Sequence, residues 1–189
     1  MPKNIQLPTF ILLLFVSVVA ASRVAFGLGG SPMSTLSPIG AMALFGGAYF
    51  TEKWKGYLFP LLTLWISDVL LNRLVFFNEW QLFYDGSVWT YAAFAMMTFT
   101  GSLLKKINFR NVFAATLFIT LIHWVVTDIG VWQSAYALYP KTGMGFVECL
   151  IAAIPYELNF LAGTLVYGTI MFGSAEYMIR RRSLQAQNA

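Results

Sequence analysis

Apolar stretches long enough to lie inside a lipid bilayer recur along almost the whole chain, with short polar segments between them. A helix needs about 20 mainly apolar residues to cross the hydrocarbon core of a membrane. The pattern predicts six such helices in one transmembrane domain, residues 1–189. The predicted helices are Pro8–Leu28, Pro38–Phe50, Tyr57–Phe77, Val88–Leu104, Asn111–Trp132 and Ile151–Gly173. The expected fold class is therefore an all-α polytopic membrane protein.

Two apolar segments of the sequence differ from a simple membrane span. Pro38–Phe50 is short and rich in glycine and alanine, so we expect it to pack inside the bundle or to be broken. Gly145–Ile154 precedes Pro155, which removes a helical hydrogen bond. We expect this segment to form a short re-entrant or interfacial helix, with Pro155 at its joint to the sixth span.

The few charged residues set the direction of the helices. Only 11% of the chain is charged, whereas soluble domains carry about 25%. Of the 12 lysines and arginines, only Lys141 falls in a predicted outer loop when the N-terminus is placed inside. Cytoplasmic loops are enriched in these residues. Both termini are therefore expected to be cytoplasmic.

Four ionisable side chains from four different spans fall in the outer half of the membrane: Arg23, Asp68, Asp128 and Glu157. A charge at the centre of a span costs roughly 2.5–3.5 kcal/mol on insertion scales, so such residues face a cavity or a partner. We therefore predict a water-accessible hollow near the outer surface. It would be lined by charged groups and aromatic rings, as small-molecule pockets usually are.

Helical spacing adds aromatic and amide side chains to this site. Trp124, Asp128 and Trp132 recur every four residues and share one face of their helix. Similar spacing groups other residues around Asp68 and Glu157. The predicted substrate-binding residues are Arg23, Trp65, Asp68, Asn72, Trp124, Asp128, Trp132, Tyr156, Glu157 and Asn159.

Structural interpretations of the same residues remain open. Trp132 fits an interfacial aromatic belt as well as a ligand contact. Arg23 has an alternative role as an ion-pair partner of Asp68 or Asp128 that holds the bundle together. His123 lies about 140° from Asp128 around their helix, which favours a hydrogen-bonded structural histidine and leaves a proton-relay or ligand role open. Cys149 is expected to be a buried, small apolar residue.

Ser17, Ala21 and Ala25 form a ridge of small residues spaced four apart on the first span. Such ridges let membrane helices approach closely. The ridge would pack against this protein's own helices or against another membrane protein.

Catalytic and metal-binding signatures are absent from the sequence. It contains no HExxH, GxSxG, GxxxxGK[ST] or paired CxxC motif. One cysteine excludes an internal disulfide, and one histidine excludes a histidine-rich metal site. We expect neither an enzyme nor a metal site, and no nucleic-acid partner. The sequence does not identify a cofactor.

Five local sequences are distributed along the chain between Ser37 and Gly173. They are "SPIGAMALFGGAYF" (Ser37–Phe50), "WISD" (Trp65–Asp68), "TDIGVW" (Thr127–Trp132), "YPKTGMGFVECLIAAIPY" (Tyr139–Tyr156) and "LVYGTIMFG" (Leu165–Gly173). With the six-span plan, they resemble a group of small bacterial membrane proteins within the S components of energy-coupling factor transporters. The solitary cobalamin importers (BtuM family) are more distantly similar.

This resemblance implies a bundle in the bacterial cytoplasmic membrane that captures a vitamin or a metal ion at its outer face. It implies that Ser17, Ala21 and Ala25 meet a coupling subunit, which works with two ATPases. It also implies that the loops Gly29–Ser37 and Gln133–Met144 cover a ligand. Similarity to the cobalamin importers suggests a corrinoid as one candidate ligand.

Two other functions remain as alternatives to uptake of a vitamin-like molecule. The chain is suited to be an accessory subunit of a larger respiratory or photosynthetic membrane complex, with no small-molecule substrate. An intramembrane enzyme built on His123 and nearby carboxylates is disfavoured, because their helical phases do not converge.

Overall fold

A computed structural model describes residues 17, 19, 21, 23–25, 28, 36–135 and 138–187. Their regular structure is helical throughout, with no strand, as the fold class predicts. Residues 17, 19, 21, 23–25 and 28 are helical and are labelled α1; the rest of the first predicted span lies outside the described residues. The other helices are α2 (Ile39–Tyr49), α3 (Lys53–Leu71), α4 (Ser87–Ser102), α5 (Phe109–Gln133) and α6 (Gly143–Gln187).

Three helical segments are long and apolar enough to cross a membrane, judged by length and composition. They are Lys53–Phe76, which joins α3 to a π-helical turn at Asn72–Phe76, then Phe109–Gln133 and Gly143–Arg181. The helix α2 is apolar but shorter. The chain is thus a helical protein suited to a lipid bilayer.

The centre of the bundle is α2, whose residues are all buried. It packs against α3, α4, α5 and α6. Its glycines allow close approach, since a Cβ at Gly47 would overlap the carbonyl oxygen of Thr98 on α4. Conversely, a Cβ at Gly101 would overlap the carbonyl oxygen of Leu44. Small residues permit such backbone contact in membrane helices, so α2 is unbroken and internal.

The prediction of a separate helix before Pro155 is wrong. The helix α6 runs without interruption from Gly143 through Pro155 to Gln187, beyond the predicted end at Gly173. Proline removes one backbone hydrogen bond, and in a packed bundle the neighbouring helices hold the remaining turns in place. The side chain of Thr142 caps the start of α6 by accepting a hydrogen bond from the Gly145 N–H at 3.2 Å.

The helix α3 begins at Lys53, four residues before its predicted start. Polar contacts hold this first turn: Lys55 Nζ lies 2.6 Å from Glu52 Oε1, and Trp54 Nε1 donates to Glu52 Oε2 at 3.1 Å. The Lys55 ammonium lowers the pKa of the exposed Glu52 carboxyl from its usual value. Hydropathy does not predict this turn, because polar contacts of Trp54 and Lys55 with Glu52 stabilise it.

Candidate functional site

A cavity of about 680 Å³ opens at the end of the bundle where α3 and α5 finish and α4 and α6 begin. We call this the cation-poor end; of the described lysines and arginines beyond α1, it carries Arg73 and Lys141. The volume lies within the range of about 300–1,000 Å³ of small-molecule pockets. Its polar lining comprises Arg23, Ser37, Asp68, Asn72, Tyr84, Thr90, His123, Tyr156 and Glu157, and Phe76, Phe77, Phe94 and Phe160 supply aromatic rings.

An ion pair between α1 and α3 forms one wall. Arg23 Nη1 lies 3.0 Å from Asp68 Oδ1 and also donates to the Ser67 hydroxyl. Asp68 is only 7% exposed, and its other oxygen, Oδ2, has no hydrogen-bond partner among the described residues. The sequence-based pairing of Arg23 with Asp68 is therefore present, and one carboxylate oxygen remains without a donor.

A histidine–carboxylate pair between α5 and α6 forms the opposite wall. His123 Nδ1 lies 2.8 Å and 3.1 Å from the two carboxylate oxygens of Glu157. The imidazole stacks on Phe160 with 3.9 Å between ring centroids, and Phe94 packs edge-on against it at 5.5 Å. The prediction that His123 does not converge with a carboxylate is wrong. Helical phase relates residues of one helix, whereas His123 lies on α5 and its partner Glu157 on α6.

The connection between α3 and α4 contributes residues that helical periodicity does not reveal. Asn72 Nδ2 donates to the carbonyl oxygen of Gln81 at 3.2 Å, which ties this connection to the end of α3. Tyr84 Oη donates to Thr90 Oγ1 at 3.1 Å. Burial, and then the negative charge of Asp68, raise the pKa of the Tyr84 phenol. Tyr84 therefore faces the cavity as a neutral hydroxyl.

Half of the predicted substrate-binding residues line this cavity: Arg23, Asp68, Asn72, Tyr156 and Glu157. The others, which are not among its lining residues, are Trp65, Trp124, Asp128, Trp132 and Asn159. Two of these tryptophans have structural contacts instead. Trp124 Nε1 donates to the Leu150 carbonyl at 3.0 Å, and Trp132 Nε1 donates to the Pro140 carbonyl at 2.8 Å.

Asp128 is a buried carboxylate away from the cavity wall. It is 5% exposed, and its Oδ1 lies 3.7 Å from the thiol of Cys149, which is 2% exposed. Its Oδ2 has no hydrogen-bond partner within the described part of the chain. Cys149 is thus a buried residue, as predicted, and its nearest acidic neighbour is Asp128.

Among the described residues of the two predicted ligand-covering loops, Ser37 lines this cavity. Residues 29–35, which include Gly29 and Gly30, lie outside the described residues, as do 136 and 137. In the second loop, Lys141 Nζ donates to the Ser134 carbonyl at 2.7 Å, and Ser134 donates to Asp85 Oδ2 at 2.6 Å. No described residue of this loop lines the cavity.

The small residues of α1 lie at the surface. Ser17, Ala21 and Ala25 are all exposed, so the described helices do not cover this ridge.

The described residues contain no group of three or more histidine, cysteine, aspartate or glutamate side chains placed to hold a metal ion.

Comparison with known proteins identifies a family for this chain but no activity. No curated protein and no solved structure matches the chain. The model of a family of unknown function, DUF6580, matches residues 3–187. Because this match covers nearly the whole sequence, the chain belongs to the DUF6580 family.

Proposed function

We propose that this protein is a membrane substrate-binding protein, similar to an S component of an energy-coupling factor transporter. It crosses the bacterial cytoplasmic membrane six times, with both termini in the cytoplasm. Its cavity takes up a small, vitamin-like molecule from the outer side. The observation that supports this most is the pair of buried charge clusters, Arg23–Asp68 and His123–Glu157, on the walls of one cavity.

The energetic argument starts from the cost of burying ionisable groups. Each charge is expensive to place in a membrane, and such groups usually mark a pathway or a binding site. Asp68 and Glu157 are at most 8% exposed, yet both line the cavity. A purely structural pair would gain as much from apolar residues of similar volume. Their placement around a hollow supports binding of a polar molecule.

The aromatic walls support a ligand that contains a ring. The stacked His123 and Phe160 rings and the edge-on Phe94 form an aromatic surface that lines the cavity. Tyr156 lines the cavity and is largely exposed, so its ring is accessible. The volume suits a molecule of one or two rings, whereas a corrinoid would project from the cavity.

A second candidate function is an accessory subunit of a larger membrane complex. The exposed ridge of Ser17, Ala21 and Ala25 supports it, since small residues allow another helix to dock closely. The same surface would serve an energy-coupling factor subunit. Purification from native membranes separates these cases: co-purifying ATPases with their coupling subunit support uptake, and a stoichiometric respiratory or photosynthetic partner supports the second function.

Ligand-induced thermal stabilisation of the purified, full-length chain tests the uptake proposal. One compound from a vitamin panel should raise the melting temperature of the wild type, because ligands that bind only the folded state stabilise it. Asp68→Asn and Glu157→Gln should reduce the shift. Glu148→Gln is the control, since Glu148 is exposed and does not line the cavity. An unresponsive wild type, or equal shifts in all four proteins, would contradict the proposal.

A further inference from the structure

The cavity lining contains more carboxylates than permanently charged cations. It contains one arginine, Arg23, and two carboxylates, Asp68 and Glu157, with His123 able to carry a positive charge only when protonated. The guanidinium of Arg23 already contacts Asp68 and Ser67 through Nη1. With neutral His123, the cavity therefore has an excess of one negative charge.

One oxygen of the Asp68 carboxylate has no hydrogen-bond donor among the described residues. This oxygen, Oδ2, is buried. A buried acceptor without a donor is unfavourable, and the penalty is larger for a charged group. Asp68 lines the cavity, so a rotation of its side chain would bring Oδ2 within reach of a bound molecule.

The neighbouring donors are directed to other acceptors. Tyr84 Oη donates to Thr90 Oγ1, and Asn72 Nδ2 donates to the Gln81 carbonyl. Arg23 Nη1 donates to Asp68 Oδ1 rather than to Oδ2. None of these three donors serves Oδ2, so a ligand that enters the cavity can supply one.

We infer that the cavity selects a cation: a small aromatic molecule with a protonated nitrogen or an amidinium group that donates to Asp68 Oδ2. This inference rests on the proposed function, and it specifies the charge of the substrate. The positive group would lie between Asp68 and Glu157 and offset the excess negative charge. Aromatic walls add to the preference, because ring faces attract cations.

The contacts of Arg23 make an anionic ligand less favourable than a cationic one. Binding an anionic group through Arg23 Nη1 would compete with its contacts to Asp68 and Ser67. It would also bring the anion close to Asp68, whose negative charge would repel it. A cationic ligand leaves the Arg23–Asp68 pair intact.

Three probes of matched shape test this inference: benzamidine, which is cationic at neutral pH, neutral benzamide and anionic benzoate. Their affinities for the full-length protein in detergent are measured by calorimetry. Benzamidine should bind at least about tenfold more tightly than benzamide, as a charge-assisted hydrogen bond predicts, and benzoate should bind most weakly. Equal affinities, tighter binding of benzoate, or no binding of any probe would overturn the inference.

Variants assign the preference to the carboxylates. Asp68→Asn should remove most of the advantage of benzamidine over benzamide, whereas Glu148→Gln should retain it. If Asp68→Asn does not fold, Glu157→Gln provides the same test, because it also removes one negative charge from the lining. An unchanged benzamidine preference in the folded variants would contradict the inference.

The two proposals fail in different ways. Thr90 lines the cavity, so Thr90→Trp should block binding there. If benzoate binds preferentially and Thr90→Trp abolishes this binding, the charge preference is overturned and the capture function stays intact. A vitamin panel without any stabilising member would overturn the capture function itself.

Discussion

His123 Nδ1 on α5 lies 2.8 Å from Glu157 Oε1 on α6, although 34 residues separate them in the sequence. The pair joins the two longest helices and places a carboxylate on the cavity wall. Because a carboxylate oxygen accepts hydrogen bonds, we assign the hydrogen to Nδ1 of the imidazole. One side chain thus serves both the stability of the bundle and the polarity of the site.

His123→Ala should destabilise the protein by about 2–4 kcal/mol, since it leaves Glu157 without its partner and removes the ring stacked on Phe160. Denaturant unfolding in detergent measures this change. Glu157→Gln is the matched variant: it keeps a hydrogen-bonding side chain of the same shape and should cost less. An unfolding free energy of His123→Ala equal to that of the wild type would contradict the role of the pair.

Arg23→Met should destabilise the protein by about 1–3 kcal/mol, because Asp68 would lose its only ion-pair partner in the described structure. Fully dry pairs lose about 3–5 kcal/mol on such a change, but this pair borders a cavity that water can enter. Adding Asp68→Leu to Arg23→Met should recover part of the loss. A double-mutant cycle from unfolding measurements checks this coupling, and purely additive effects would exclude it.

Asp128→Asn should leave the ligand-induced thermal shift unchanged, because Asp128 is not among the residues that line the cavity. Its unfolding free energy should stay the same or rise by up to about 1 kcal/mol, as the variant removes a buried charge with an unpaired oxygen. Asp68→Asn, measured in parallel, should show a reduced shift. Loss of ligand response in Asp128→Asn would return this residue to the binding site.

Gly47→Ala should destabilise the bundle by about 1–3 kcal/mol, because the new methyl group would overlap the Thr98 carbonyl oxygen and push α2 away from α4. Gly173→Ala is the control. A Cβ there meets no atom within 4 Å, so this variant should be neutral or more stable by up to about 1 kcal/mol. Equal unfolding free energies for the two variants would contradict the close packing of α2.

Cysteine labelling tests the proposed orientation in the membrane. In a Cys149→Ala background, Val88→Cys and Leu103→Cys place single thiols at exposed positions at opposite ends of α4. A membrane-impermeant thiol reagent added to intact cells should label Val88→Cys and spare Leu103→Cys. The reverse result would place the cation-poor end in the cytoplasm and contradict outward capture.

Hydrophobic patterning predicts the helices well, because each apolar run must be buried in protein or lipid. The bounds of α2, α4 and α5 differ from the predicted ones by one or two residues. The start of α6 was missed because Thr142 caps the helix and Pro155 is accommodated inside it. Hydropathy carries no information about either effect.

The site could be predicted only in part. Depth in the predicted spans singles out four ionisable residues, of which Arg23, Asp68 and Glu157 line the cavity and Asp128 does not. Helical phase shows which residues share a face, but not which neighbour that face meets. The Trp124–Asp128–Trp132 face was therefore assigned to the cavity, although its tryptophans contact the Leu150 and Pro140 carbonyls.

A high-resolution structure of the protein with the panel compound that stabilises it most tests the central claim directly. We expect an ordered molecule inside the cavity at the cation-poor end, with a donor group within hydrogen-bonding distance of Asp68 Oδ2. A cavity filled by the protein's own side chains or by lipid chains, with the compound bound elsewhere, would contradict it.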